Sequence, residues 1–240
     1  YYNYFNNYTY PNSQFNNFHP FNFSSTQDDY GYDLISYIVW KLNFGVYGIY
    51  IINLICAIIF MFSLSKFSLR QPYPWLVLVI SIPYLITVVA MGYVRQAVAL
   101  AFIILSIVSL IDQKKLIALI YFCLAIIFHK PVLIMTPILM FGLKKFNFKS
   151  LLIFSIPIFA FLSVFYRELW ELLIYYIDGI YNLKYPKTSA GAILRLILNV
   201  IPAIIFLKYR NKISGSEIEK RIFTFMSIFV LTSIFFVNQY

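Results

Sequence analysis

Hydrophobic positions in this chain fall in long unbroken blocks, not in the three-four spacing of a surface helix. A helix crossing ~30 Å of hydrocarbon needs about 20 mostly apolar residues. Residues 46–65 form such a block without a single charge. Residues 71–94 form another around Pro83, whose freed carbonyl Ser81 or a neighbouring helix can satisfy. A shorter uncharged run covers 96–111, and further blocks cover 150–166, 188–207 with Arg195 inside, and 222–240. Residues 116–143 differ, because two apolar arms flank His129-Lys130-Pro131. Each arm is about 20 Å long at 1.5 Å per residue. The arms are either lengthened by polar flanks or form a re-entrant hairpin of half-helices, and both forms return the chain to one side. The pattern predicts an all-α fold, a polytopic transmembrane helical bundle with about seven or eight membrane segments. Residues 1–45 read as an extracytoplasmic loop rich in aromatics and Asn with a short interfacial helix, and 46–240 as the transmembrane domain.

Composition excludes a soluble alternative. The 240 residues are 61% hydrophobic and 12% charged, against about 25% charged in soluble domains. Much of any water-facing surface must be polar, and this chain lacks the polar residues to build it. It starts at Tyr1 instead of Met and stops at Tyr240 inside an apolar run, which reads as a fragment truncated at both termini. Cys56 and Cys123 each sit inside an apolar stretch and form no CxxC pair. With residues 1–45 placed outside, 12 of the 19 Lys and Arg fall in inside loops and 7 outside, the bias expected of a membrane protein. The net charge of +10 then reflects topology. It marks a lipid bilayer as partner and no nucleic acid, because no basic groove interleaved with aromatics exists on a soluble domain.

The chemistry gathers on the outer side. Residues 1–32 hold 12 Phe or Tyr and 7 Asn, suited either to stacking on sugar rings or to lying at the headgroup level. Asp28-Asp29-Tyr30-Gly31-Tyr32-Asp33 leads into a short amphipathic stretch ending near Trp40. Three unclustered cationic positions share the outer half: Arg95 after Gly92-Tyr93-Val94, His129-Lys130 at the hairpin apex, and Arg195 within Ala192-Ile193-Leu194-Arg195-Leu196. A cation in a membrane helix costs roughly 2.5–3.5 kcal/mol on insertion scales and marks a function by default. Arginine suits phosphate through its planar fork, and histidine can exchange a proton near neutral pH. Snorkelling to headgroups is the plain alternative for Arg95 and Lys130, and a hydrogen-bonded structural role is the alternative for His129. Metal chemistry has no support, since only His19 and His129 exist, without carboxylates at ligand spacing. Nucleophile-elbow, P-loop and dinucleotide motifs are absent as well.

The run Gly92-Tyr93-Val94-Arg95-Gln96-Ala97-Val98-Ala99 resembles the RQ-x-x-A signature of the EpsG family of exopolysaccharide proteins. Phe128-His129 resembles that family's FH motif, with Lys130-Pro131 in place of the usual Ser. Asp29-Tyr30-Gly31-Tyr32 resembles its acidic and Gly-aromatic loop, and Gly191-Ala192-Ile193-Leu194-Arg195 its late arginine helix. The resemblance implies a Wzy-type polymerase of the bacterial inner membrane, multi-pass. Such a glycosyltransferase joins oligosaccharide repeat units carried on undecaprenyl diphosphate into exopolysaccharide, capsule or O-antigen chains. It needs no cofactor and works either alone or with a chain-length regulator as a further partner. On that pattern Arg95 and Arg195 serve the diphosphate and His129 takes the acceptor proton as catalytic residues. Gln96, Lys130, Asp28, Asp29, Tyr30 and Tyr93 bind substrate. A lipid-linked oligosaccharide flippase and a non-catalytic export subunit are the alternatives, although paired broken helices are not seen.

Overall fold

The computed structural model describes residues 29–136, 170, 174, 191–213 and 215–237. Every regular element among them is helical. The chain divides into two compact units, Tyr1–Thr136 and Pro137–Tyr240.

In the first unit α1 spans Tyr30–Lys41 and a short 3-10 turn spans Gly45–Tyr47. Helix α2 then covers Gly48–Ser68, α3 Pro74–Ser81, α4 Val94–Ile111 and α5 Lys115–Phe128. Helices α2 and α4 are long and apolar enough to cross a membrane, and they coincide with the blocks at 46–65 and 96–111. Of the seven or eight segments expected, these two meet that test among the described residues; Pro74–Ala90, Lys115–Phe128 and Ile197–Tyr209 are shorter apolar helices, and 150–166 lies outside the described residues.

The block at 71–94 is not one straight helix. α3 passes into a π-helix over Ile82–Ala90 with Pro83 at its start. Proline brings no N–H to the helical ladder, and the pattern widens to i→i+5 there. Ser81 does not rescue the carbonyl one turn before Pro83; its Oγ donates to Val77 O at 2.7 Å.

α4 is the central helix of this unit. Ala97, Val98, Ala99 and Ala101 are buried on it, so neighbouring backbones approach closely. One face packs with Tyr32, Val39, Ile52, Cys56 and Phe128, so α1 shares a core with α2 and α5. Another packs with Phe60 and Leu64 of α2 and with Leu85, Ile86 and Val89 of the π-helix. Ser106 Oγ donates to Ala118 O at 2.7 Å and ties α4 to α5. On the outer face of α2, Tyr50, Leu54 and Ile58 recur at four-residue spacing and are exposed; Trp75, Val79 and Ile80 of α3 are exposed as well. Stripes of that kind require an apolar surrounding, which a bilayer supplies.

Gly31 fixes how α1 meets α5. A Cβ there would lie 2.8 Å from Phe128 Cδ2, inside van der Waals contact. Gly31→Val is therefore expected to destabilise the unit by about 1–3 kcal/mol, the usual cost of overpacking. Thermal unfolding in detergent measures it, and Phe128→Leu in the same chain should recover part of the loss.

At the other end of these helices, Arg70 holds the carboxylate of Asp112 in a fork, Nη1 to Oδ1 at 2.7 Å and Nη2 to Oδ2 at 2.5 Å. The turn behind it is a Schellman closure: Lys114 N donates to Ser109 O at 2.9 Å and Gln113 N to Leu110 O at 3.0 Å. Gln113 takes the left-handed position, φ 63°, where glycine is commoner. The hydrogen bonds from Arg70, reinforced by the charges of Arg70, Lys114 and Lys66, hold the Asp112 carboxyl below its ordinary value. A depressed folded pKa gives stability that is present above the unfolded value of about 3.9 and is lost as pH falls through the folded one. The melting difference between the parent and Asp112→Asn should therefore be constant near neutrality and close below about pH 4. The pair is a third exposed, so the gap should be about 1 kcal/mol or less.

In the second unit α6 covers Gly191–Tyr209, with Pro202 inside it, and α7 covers Glu217–Val237. Phe206 meets Phe223 edge-on, with ring centroids 5.8 Å apart. The apolar block predicts a span from 222, yet α7 starts five residues earlier, at Glu217. The cause is a capping box: Ser216 N donates to Glu219 Oε2 at 2.6 Å, and Glu219 N donates to Ser216 Oγ at 3.3 Å.

Candidate functional site

Two helix interruptions in the first unit face one cavity. The π-helix ends before Gly92 and Tyr93, and Tyr93 is the N-cap of α4 in a non-helical conformation, φ −131° and ψ 65°. Arg95 and Gln96 thus stand in the first turn of α4, where backbone N–H groups point out of the helix end and favour anions. α5 stops at His129, which is extended at φ −161° and ψ 102°. Pro131 sits in the first turn of the 3-10 helix Lys130–Met135. Its missing N–H and its clash with the preceding turn prevent α5 from continuing. Pro131 departs from the resembled motif and is the local cause of the break that presents His129.

α1 closes the site. Asp29, its N-cap, reaches His129 across 100 residues of sequence: Oδ2 lies 3.1 Å from Nδ1. The amide N–H of Lys130 donates to the other oxygen, Oδ1, at 3.2 Å. Both carboxylate oxygens are thereby occupied, and Asp29 is the more buried of the two side chains, 14% exposed against 23% for His129. A carboxylate at this position accepts from Nδ1–H, and the neutral imidazole with its proton on Nδ1 has its lone pair on Nε2. One turn along α1, Tyr32 is buried, and the Arg95 guanidinium lies over its ring at 4.8 Å from the centroid. A cation at that distance from a ring face is held by a cation–π contact.

These groups line a cavity of ≈ 300 Å³ with Asn53 and Ile49 of α2 and with Met91, Gly92, Tyr93 and Gln96. Of the sequence-predicted residues, Arg95, His129, Asp29, Tyr93 and Gln96 come together on it. Lys130 contributes its backbone amide to Asp29. Tyr30 is half-buried and is not among the lining residues; Tyr32, one turn away in phase with Asp29, takes that place. Asp28 lies outside the described residues. Arg195 belongs to α6 of the second unit, and its side chain lies outside the described residues. Arg95 and His129 therefore line one cavity inside the first unit. Sequence reasoning missed Tyr32 and Asn53. The signal for Asn53 was an amide inside an otherwise apolar block, Ile51-Ile52-Asn53-Leu54.

The arrangement pairs an imidazole, in contact with a carboxylate, with a guanidinium held over an aromatic ring at a helix N-terminus. The first suits a hydroxyl and the second suits a phosphate. No group of three or more His, Cys, Asp or Glu that could hold a metal ion occurs among the described residues. In comparison with known proteins, the sequence model of the EpsG family matches residues 1–240, the whole chain. No curated protein and no solved structure matches.

Proposed function

The chain belongs to the EpsG family, a Wzy-type polymerase family of membrane proteins, and from that premise we propose a membrane glycosyltransferase that polymerises oligosaccharide repeat units carried on undecaprenyl diphosphate. The observation that carries this reading is the Asp29–His129 pair and the Tyr32-stacked Arg95 lining one cavity.

In the proposed step an acceptor sugar hydroxyl attacks the anomeric carbon of the growing chain. A new glycosidic C–O bond forms, and the bond from that carbon to the diphosphate oxygen breaks. His129 Nε2 takes the hydroxyl proton, while Asp29 holds Nδ1–H and offsets the charge of the imidazolium. Arg95 and the amide end of α4 receive the charge developing on the departing diphosphate. Gln96 and Tyr93 stand beside Arg95 as further donors to phosphate or sugar. Asn53, an amide on the α2 wall, supplies hydrogen bonds to sugar hydroxyls. Arg195 is proposed as a second cation for the diphosphate on its chemistry alone, a guanidinium within an apolar helix.

The test is complementation. A strain lacking the gene should accumulate single lipid-linked repeat units at the outer face, and the restored gene should return a long-chain ladder on a polysaccharide gel. Repeat units trapped on the cytoplasmic side would mean a flippase. Unchanged polymer would mean that the chain does not polymerise at all.

A further inference from the structure

A second polar cavity lies at the opposite ends of the same helices. Its ≈ 190 Å³ are lined by Lys66 near the end of α2, Arg70 in the following loop, Val108, Ser109 and Asp112 at the end of α4, and Lys114 before α5. Leu105, Ile117 and Tyr121 form its deeper wall. α4 carries Arg95 in its first turn and Asp112 at its C-cap. Its 18 residues run about 27 Å at 1.5 Å per residue. That length approaches the thickness of the hydrocarbon core, so the two cavities open at opposite membrane interfaces.

The charges there are unequal. Three cations face one carboxylate, and that carboxylate is already held by the Arg70 fork. Lys66 and Lys114 are exposed and line the same cavity as Asp112. The cavity therefore keeps an excess of positive charge at its mouth. The wall deeper along α4 and α5 is apolar. An anion with an apolar continuation fits such a layout, and in this position a lipid supplies both parts.

We propose that the Lys66–Arg70–Lys114 cavity binds the phosphate of an anionic glycerophospholipid in the leaflet opposite the Arg95 site. The two lysines meet the phosphate oxygens. Arg70 and Asp112 form the fixed floor, and the acyl chains leave along Ile117 and Tyr121. Juxtamembrane basic residues gain about 1 kcal/mol each from anionic lipid. Loss of both lysines should therefore weaken the lipid about thirtyfold. This inference does not depend on the reaction at the other interface.

The test uses the full chain, delipidated in neutral detergent, with its melting temperature followed as phosphatidylglycerol, phosphatidylcholine or inorganic phosphate is added. Phosphatidylglycerol should raise the melting temperature saturably, with phosphatidylcholine and phosphate nearly inert. Lys66→Gln/Lys114→Gln should melt slightly below the parent without lipid, since both charges help hold the Asp112 carboxylate, and need about thirtyfold more phosphatidylglycerol for the same rise. Equal effects of the two lipids, or a parent-like response in the double variant, would overturn the proposal. A full rise with phosphate alone would mean a soluble-anion site and would overturn the assignment to lipid.

Discussion

His129→Ala should lower polymer formation by about 10²–10⁴-fold, the range for loss of a positioned general base. Among the described residues, the imidazole is the one group on the cavity that combines a ring nitrogen base with a carboxylate contact. Alanine removes that lone pair and leaves Asp29 bonded to the Lys130 amide. The α5 break survives, because Pro131 imposes it from outside the substituted position. Folded protein should therefore stay at the parent level in detergent extracts, while single repeat units persist in a reconstituted assay with lipid-linked substrate. Asp29→Asn should fall less, since the amide keeps the shape of the contact but no longer fixes the Nδ1 proton. If both variants instead lose folded protein equally and polymer only in proportion, the pair serves to join α1 to α5 and another base is needed.

Arg95→Ala should cost about 10²–10³-fold in polymerisation, as removal of one preorganised donor to a developing oxyanion does elsewhere. Arg95→Lys is the sharper variant. An ammonium keeps the charge but cannot lie flat on Tyr32 or offer two parallel N–H groups. It should recover little of the lost rate. Tyr32→Phe should stay close to the parent because the ring face remains, and Tyr32→Ala should move part of the way toward Arg95→Ala. Full activity in Arg95→Lys would identify a charge that only anchors the helix end at the headgroups, and the diphosphate role would then be withdrawn.

Parts of this architecture were legible in the sequence for physical reasons. α2 stood out because an uncharged block of about 20 residues has few other uses, and α4 as a shorter uncharged run of the same kind. The break at His129 was visible because His-Lys-Pro cannot sit inside an apolar helix without cost. The resemblance at Arg95-Gln96 located the first turn of α4 within a residue or two. The Asp29–His129 contact was not legible, because it joins positions 100 apart and depends on Gly31 admitting the Phe128 ring. Tyr32 lines the cavity and Tyr30 does not, because residues three apart share a face of α1 and Asp29 marks that face. Asn53 carries no charge, so charge does not set it apart within its apolar block. The start of α7 was set by a Ser-Glu box that hydropathy ignores.

The two interruptions at Tyr93 and His129 also decide what else can enter the site. A broken helix leaves backbone carbonyls and amides without intrahelical partners, and hydrocarbon offers them none. Part of that need is met within the chain, where the Lys130 amide donates to Asp29 and Val132 N to His129 O, and water entering the cavity can solvate the rest. Water there competes with the sugar for the anomeric carbon. On the proposed chemistry each turnover then divides between chain growth and hydrolysis, and the supply of acceptor units sets the ratio. Chain length would in that case be governed partly by starvation: when repeat units run short, the same dyad that extends the polymer releases it from its carrier.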